Sequence, residues 1–211
     1  MKKAVIFDLD GTMWDSSSVV MQAYNRGLER MGYSLRFNIQ DIRGAMGKTM
    51  VEIAHLAFDR IDPNKAVDIM QECINEENEY LKTHSGVLYD GLEDVLLTLK
   101  REGYFLACVS NCQKGYIEAF YESTGLGRLF DDKNCWGDTG LMKNENIKEV
   151  VKRNGIESAV YVGDTMGDYT SALGAGVKFI HAAYGFGSVP DGTTSICSIK
   201  MLPEAVKKVI G

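Results

Sequence analysis

Two textures of apolar and polar positions divide this chain. Val5-Ile6-Phe7 are β-branched or aromatic, and the run from Lys3 to Leu9 predicts a short buried strand. From Ser16 the spacing turns helical. Ser16 or Ser17 can cap a helix with apolar positions at Val20, Ala23, Tyr24, Gly27, Leu28 and Met31, ended by Gly32. Residues 38–46 read as a short helix or loop, and Thr49 to Phe58 as helix again. Asp62-Pro63 predicts another helix start, with the acid as cap and proline at the first helical position, and this helix should run to about Thr83. Residues 15–84 are therefore expected to be almost entirely helical.

From residue 91 strands and helices alternate. Helix is expected over Leu92–Arg101, strand over Tyr104–Val109, helix over Lys114–Ser123 and a short strand over Lys133–Trp136. Helix over Asn144–Arg153, strand over Ala159–Val162, helix over Gly167–Leu173 and strand over Val177–His181 follow. A weaker strand near Ser195–Ser198 precedes a last helix from about Pro203. Such alternation implies parallel pairing in a sheet covered on both faces, that is, an α/β fold. The helical block interrupts it directly after the first strand, as an inserted domain would.

Composition narrows the function classes. With 211 residues, 45% of them apolar, the chain can bury a sizeable core. Its formal net charge is −6 and it has no long Lys/Arg run, which argues against nucleic acid as a partner. Cys73, Cys108, Cys112, Cys135 and Cys197 form no C-x-x-C pair, and His55, His84 and His181 lie far apart, so neither a zinc site nor a disulfide framework is expected. No apolar run reaches membrane-spanning length, and a strand begins almost at the first residue without a signal segment. No membrane partner and a cytoplasmic location are the expectation.

The candidate chemistry lies at strand ends, where open α/β sheets bind ligands. Asp8 and Asp10 close the first strand, and Gly11 permits a sharp turn after them. Residues two apart on extended backbone face one side, so both carboxylates can share a pocket. One can then serve as an ionised nucleophile while the other moves protons. Taken alone, D-x-D-G is also an ordinary turn with solvated acids. A calcium loop is excluded, because its sixth and twelfth positions would be Met13 and Val19. The strand over Tyr104–Val109 ends at Ser110-Asn111, and that over Ala159–Val162 at Gly163-Asp164-Thr165-Met166-Gly167-Asp168. Lys143 stands just before a helix. Singly these read as a helix cap, a turn and a surface lysine. Together they bring four acids, a hydroxyl and a lysine to one sheet edge.

In order, Asp8-Leu9-Asp10-Gly11-Thr12, Ser110-Asn111, Lys143 and Gly163-Asp164-x-x-x-Asp168 resemble the four motifs of the haloacid dehalogenase superfamily. The first and last are the most specific. Where many relatives carry proline after the motif lysine, this chain has Asn144, with Lys148 a turn further on. The resemblance implies a Rossmann-like parallel sheet core, residues 1–14 and 85–211, and an inserted α-helical cap domain, residues 15–84, as in phosphoglycolate phosphatases and β-phosphoglucomutases. It implies phosphoryl transfer with Mg2+ as cofactor and a small phosphorylated metabolite as substrate. Asp8 would be the nucleophile and Asp10 the acid and base. Asp8, the Asp10 carbonyl and Asp164 would hold the metal, and Asp168 would act through water. Ser110, Lys143 and backbone N–H groups near Leu9 and Asn111 would hold phosphoryl oxygens. Asp10 favours phosphate esters over C–Cl or C–P bonds. In the cap, Arg43 or Lys48 could bind a distal anionic group, and a solvated cap surface is the equal alternative.

The expected activity is a phosphatase, with a sugar phosphate mutase as the alternative. A nucleotide-binding P-loop at Gly47-Lys48-Thr49 fails, because Ile42 stands where that loop needs glycine. A receiver-like regulatory module, the non-enzymatic alternative, fits poorly with a large helical insert and with two acids on the first strand.

Overall fold

Val5, Ile6 and Phe7 are fully buried because their strand, β1 (Lys3–Phe7), lies in the interior of a parallel sheet. The computed structural model describes residues 1–59 and 61–211. After β1 come β2 (Trp14–Asp15), α1 (Ser17–Arg30), α2 (Ile39–Ala45), α3 (Met50–Phe58), α4 (Ala66–Leu81) and β3 (Val87–Leu88). The alternating part consists of α5 (Leu92–Arg101), β4 (Phe105–Ser110), α6 (Tyr116–Thr124), β5 (Asp132–Cys135), α7 (Trp136–Thr139) and α8 (Lys143–Arg153), then β6 (Ser158–Gly163), α9 (Met166–Ala175), β7 (Lys178–Ala182), β8 (Ser195–Ile196) and α10 (Leu202–Ile210). The sheet order is β5-β4-β1-β6-β7-β8, and every pair in it is parallel. The expected α/β fold is what the chain forms.

Side-chain alternation distributes the sheet between two cores. Val5, Phe7, Leu106, Cys108, Val160 and Val162 face one way, into the larger apolar cluster with α5 and α10. Ala4, Ile6, Ala107, Val109 and Tyr161 face the other, against Ile147 and Val150 of α8 and Ala172 of α9. Register then sets the site. Phe7 lies opposite Cys108 on β4 and Val162 on β6. Asp8 and Asp164, the residues just after β1 and β6, and Ser110, the last residue of β4, therefore lie at the same edge of the sheet.

Helices α1 to α4 lie between the strands of a second, antiparallel ribbon, in which Trp14 pairs with Leu88 and Asp15 with Val87. Two-residue strands carry no periodic signal, so this ribbon was not expected. The start of α4 also differs. Asp62 accepts from Asn64 N at 3.0 Å, and its carbonyl accepts from Lys65 N, so Asp62-Pro63 builds a turn and the helix begins four residues later, at Ala66. Asn38 and Thr49 close capping boxes that start α2 and α3. Among the described residues no helix is long and apolar enough to cross a membrane.

Candidate active site

Asp8, Asp164 and Asp168 are buried, and each offers a carboxylate oxygen within 4.8 Å of the others. Asp8 follows β1, with its backbone N–H bound to the Val162 carbonyl at 2.8 Å. Asp168 stands in the first turn of α9, where its Oδ2 accepts from Thr165 N and Oγ1 in a capping box. Its Oδ1 accepts from Lys143 Nζ at 2.5 Å, and the same ammonium donates to Asp8 Oδ1 at 3.0 Å. Lys143 opens α8 and is only 2% exposed. Lys148 is exposed and bound to Glu145, so Lys143 is the lysine that the fold brings to the acids.

Three buried acids thus crowd one ammonium, which binds two of them. Burial, then the nearby Asp168 carboxylate, raises the Asp8 carboxyl well above its ordinary range in spite of Lys143. Burial and Asp168 push Asp164 up to about 7. Burial alone would strip the Lys143 charge, but Asp168 and Asp8 outweigh it and hold the ammonium above the ordinary lysine value. Asp164 Oδ2 accepts from Phe186 N at 2.7 Å, while its buried Oδ1 has no protein partner. Gly11, with φ of +77°, passes so close that a Cβ there would overlap the Asp164 carboxyl. A buried cluster short of positive charge, with an unpartnered carboxylate oxygen, suits a hard divalent cation such as magnesium.

Asp10 stands apart from these three. Its Oδ1 accepts from Trp14 Nε1 at 2.9 Å, Ser16 Oγ at 2.5 Å and the Tyr116 hydroxyl at 2.9 Å. Burial raises its carboxyl, and those three donors work against the shift. Sequence reasoning missed Trp14, Ser16 and Tyr116 as its partners; Tyr116 lies more than a hundred residues away, and no local pattern links the two. The Thr165/Asp168 pair did carry a signal, a threonine three residues before an acid at a helix start.

Asp8, Asp10, Ser110 and Asn111 line a cavity of about 50 Å³. Asn111 Nδ2 donates to the Gly47 carbonyl at 2.9 Å, which ties the residues after β4 to the loop after α2. Leu9 is buried beneath the site, and its carbonyl accepts from Met13 N. Of the two cations expected to meet substrate from the helical segment, Lys48 lines the cavity and is exposed. Arg43 does not line it. Its Nη2 binds Asp15 at 2.7 Å, its Nε binds Ser17, and its guanidinium lies over the Phe186 ring.

Residues 5–182 match the family model of the haloacid dehalogenase-like hydrolases. A plasmid-borne phosphoglycolate phosphatase of Cupriavidus necator is 28% identical over 204 residues, which cover 92% of this chain and 85% of the relative. A haloacid dehalogenase-like hydrolase structure from Bacteroides fragilis superposes with a TM-score of 0.81 at 22% identity, over 96% of this chain and all of that one. CbbY from Rhodobacter sphaeroides, solved with xylulose-(1,5)bisphosphate, does so with 0.79 at 19% identity, over 94% of this chain and 95% of its own. These relatives agree with the phosphoric monoester hydrolase expected from the motifs, and the fold agrees with the solved structures. With the four motifs in order and the family match spanning both the sheet and the helical segment, the chain belongs to the haloacid dehalogenase-like hydrolases.

Proposed function

We propose that this hydrolase is a magnesium-dependent phosphatase of a small phosphorylated metabolite, working through an aspartyl-phosphate on Asp8, with residues 15–84 as a cap over a core of residues 1–14 and 85–211. The observation that carries this reading is the convergence of Asp8, Asp164 and Asp168 within 4.8 Å around a single ammonium. Asp8 and Asp164, with the Asp10 carbonyl, would hold the ion. Both Asp168 oxygens already accept hydrogen bonds, in keeping with an indirect role through water. Magnesium bound there supplies positive charge to the phosphoryl oxygens and to the acids.

The remaining chemistry belongs to side chains. The Asp8 carboxylate attacks phosphorus in line, a bond forms from Asp8 to phosphorus, and the ester P–O bond breaks. Asp10, whose burial favours the protonated form, gives its proton to the departing alkoxide. Water then attacks the acyl phosphate, Asp10 takes a proton from it, and the bond to Asp8 breaks to release phosphate. Lys143, Ser110 and backbone N–H groups near Leu9 and Asn111 hold the phosphoryl oxygens. Positioning and charge neutralisation carry most of the rate gain.

Inorganic phosphate release from a panel of small phosphate esters tests this reading. Turnover is expected with magnesium and should stop with EDTA. Rapid quenching should trap one phosphoryl group on the peptide that carries Asp8. Turnover that survives chelation, or a phosphoryl group on another residue, would overturn the reading.

A further inference from the structure

Two of the cysteines, Cys112 and Cys135, are joined by a hydrogen bond although 22 residues stand between them. Parallel pairing sets Cys135, the last residue of β5, opposite Ser110, the last residue of β4. The chain after Ser110 then passes over the start of α7. Gly137 N donates to the Cys112 carbonyl at 3.0 Å, and a Cβ on Gly137 would overlap the Gln113–Lys114 peptide. Cys135 Sγ lies 3.7 Å from the Gln113 carbonyl and 3.4 Å from Asp138 Oδ2, and it accepts from the Cys112 thiol. Both are free thiols.

The two differ in reach and in acidity. Cys112 lines the catalytic cavity with Asp10, Ser110 and Asn111, whereas Cys135 is fully buried. At about 50 Å³ the cavity holds a molecule the size of water, and hydrogen peroxide is larger by one oxygen. Burial pushes the Cys112 thiol up. The hydrogen bond from Cys112, working against burial, draws the Cys135 thiol below its ordinary value.

We infer that Cys112 and Cys135 form an oxidation site that disables the catalytic cavity, in which hydrogen peroxide turns the dithiol into a disulfide and a reducing thiol restores it. The Cys112 sulfur, on losing its proton, attacks one peroxide oxygen. The O–O bond breaks, water leaves, and Cys112 becomes a sulfenic acid. The Cys135 thiolate then attacks the Cys112 sulfur, the S–O bond breaks, and a second water leaves. Two thiols lose two electrons in all, and one peroxide is reduced to two waters. The first step is slow, because burial disfavours the Cys112 thiolate, so an excess of peroxide is needed.

The bridge would pull on the segment that carries the site. Asn111, just before Cys112, holds the Gly47 carbonyl. Gln113, just after it, donates from Nε2 to Glu77 Oε2 on α4 at 2.8 Å, beside the Tyr24 hydroxyl. Glu77 is buried, and burial and then Asp10 push its carboxyl up to about 8. Drawing Cys112 from hydrogen-bonding to covalent distance shifts both ties and the adjoining Ser110.

Peroxide treatment of the reduced chain, then blocking of the remaining thiols and peptide mapping, tests the site. A disulfide joining the Cys112 and Cys135 peptides is expected, and Cys197→Ser, which removes the exposed thiol, should give the same bridge. Phosphate release, a readout that rests on the phosphatase reading above, should fall about tenfold or more and return with dithiothreitol, since small misplacements beside the reacting atoms are costly. In Cys135→Ser the sulfenic acid on Cys112 has no thiol to meet and runs on to the sulfinic acid, so dithiothreitol should no longer restore turnover. The ratio of treated to untreated activity within one variant does not depend on how much of it folds. A peptide map without the bridge, a bridge that leaves phosphate release unchanged, or full recovery in Cys135→Ser would overturn the inference. If the untreated chain hydrolyses no ester, the phosphatase reading fails, and the peptide map still decides for or against the cysteine pair.

Discussion

Buried acids on the two sides of the cavity are treated in opposite ways, although on the sheet side only Asp8 of the three clustered acids lines it. On the sheet side, Asp8 and Asp168 grip one ammonium, and Asp164 leaves an oxygen unpartnered beside them. On the helical side, Glu77 has an amide and a phenol for company, and among the described residues no Lys or Arg is paired with it. An isolated buried carboxylate is costly, so it survives ionised only where positive charge is at hand. The sheet side is thus arranged for anions that arrive with a cation. The helical side favours the protonated, neutral form of its own acid. Under the phosphatase reading, the strand ends would carry the reaction.

If Asp8 is the nucleophile, removing it should break the sheet side most severely. Asp8→Asn is expected to lower phosphate release by at least ~10³-fold. The folded chain should persist, because the substitution removes one of three crowded acids while Asp168 still binds Lys143. Phosphate release and thermal melting measure the two effects. Substantial residual turnover would mean that another residue attacks phosphorus.

Lys143→Met tests whether the ammonium holds the sheet side together. Removing one partner from a buried ion pair typically costs about 3–5 kcal/mol. The sign of the pH effect follows from the raised acids. Asp164, at about 7, binds its proton more tightly folded than unfolded, and Asp8 is raised in the same direction. Stability from such groups is present at acid pH and lost as pH rises through about 7. The deficit of Lys143→Met should therefore be largest above pH 7 and shrink toward pH 5, as read by denaturant unfolding without magnesium. A deficit that is the same at both ends would show that packing, not charge, explains the loss.

The two walls also differed in how far they could be read from the sequence. Val5-Ile6-Phe7 and the apolar runs that became β4 and β6 marked the strands, and the polar residues after them marked the site edge. Parallel register then carried Asp8, Ser110 and Asp164 to one rim, because a strand's periodicity extends to the residue that ends it. The helical side gave no such cue. Glu77 lies in a stretch with Glu72, Glu76 and Glu79, and only the packing of α4 decides which of them is buried. Its one signal was an acid on the stripe that also holds Met70, Cys73 and Leu81. The Asp62-Pro63 turn misled for a related reason, since a cap-like acid can close a turn before the helix begins.

Tyr116→Phe sharpens the view of Asp10, which serves the sheet side without belonging to its cluster. Trp14 and Ser16 would still hold Asp10 Oδ1. Losing one hydrogen bond to a carboxylate is worth about 1.5 kcal/mol, so kcat should fall about tenfold with KM nearly unchanged. A rise in KM at constant kcat would place Tyr116 against substrate instead of behind Asp10.

Arg43→Ala gives the smallest expected effect and bears on the helical side. Arg43 stands out in the sequence as a cation that could bind a distal anionic group, yet its guanidinium binds Asp15 and Ser17 and covers Phe186. A half-exposed ion pair of this kind contributes about 1 kcal/mol or less. If Arg43 keeps these partners when substrate binds, Arg43→Ala should change KM for 2-phosphoglycolate by less than about threefold, with a small loss of stability. Asp15 gives the cross-check. Arg43 and the Ser17 hydrogen bonds hold its carboxyl below the ordinary range against burial, so the variant should let that carboxyl rise, as NMR titration would record. A tenfold increase in KM for 2-phosphoglycolate would mean that Arg43 leaves Asp15 when an anion arrives. The helical side would then possess the counter-charge that its resting geometry withholds from Glu77.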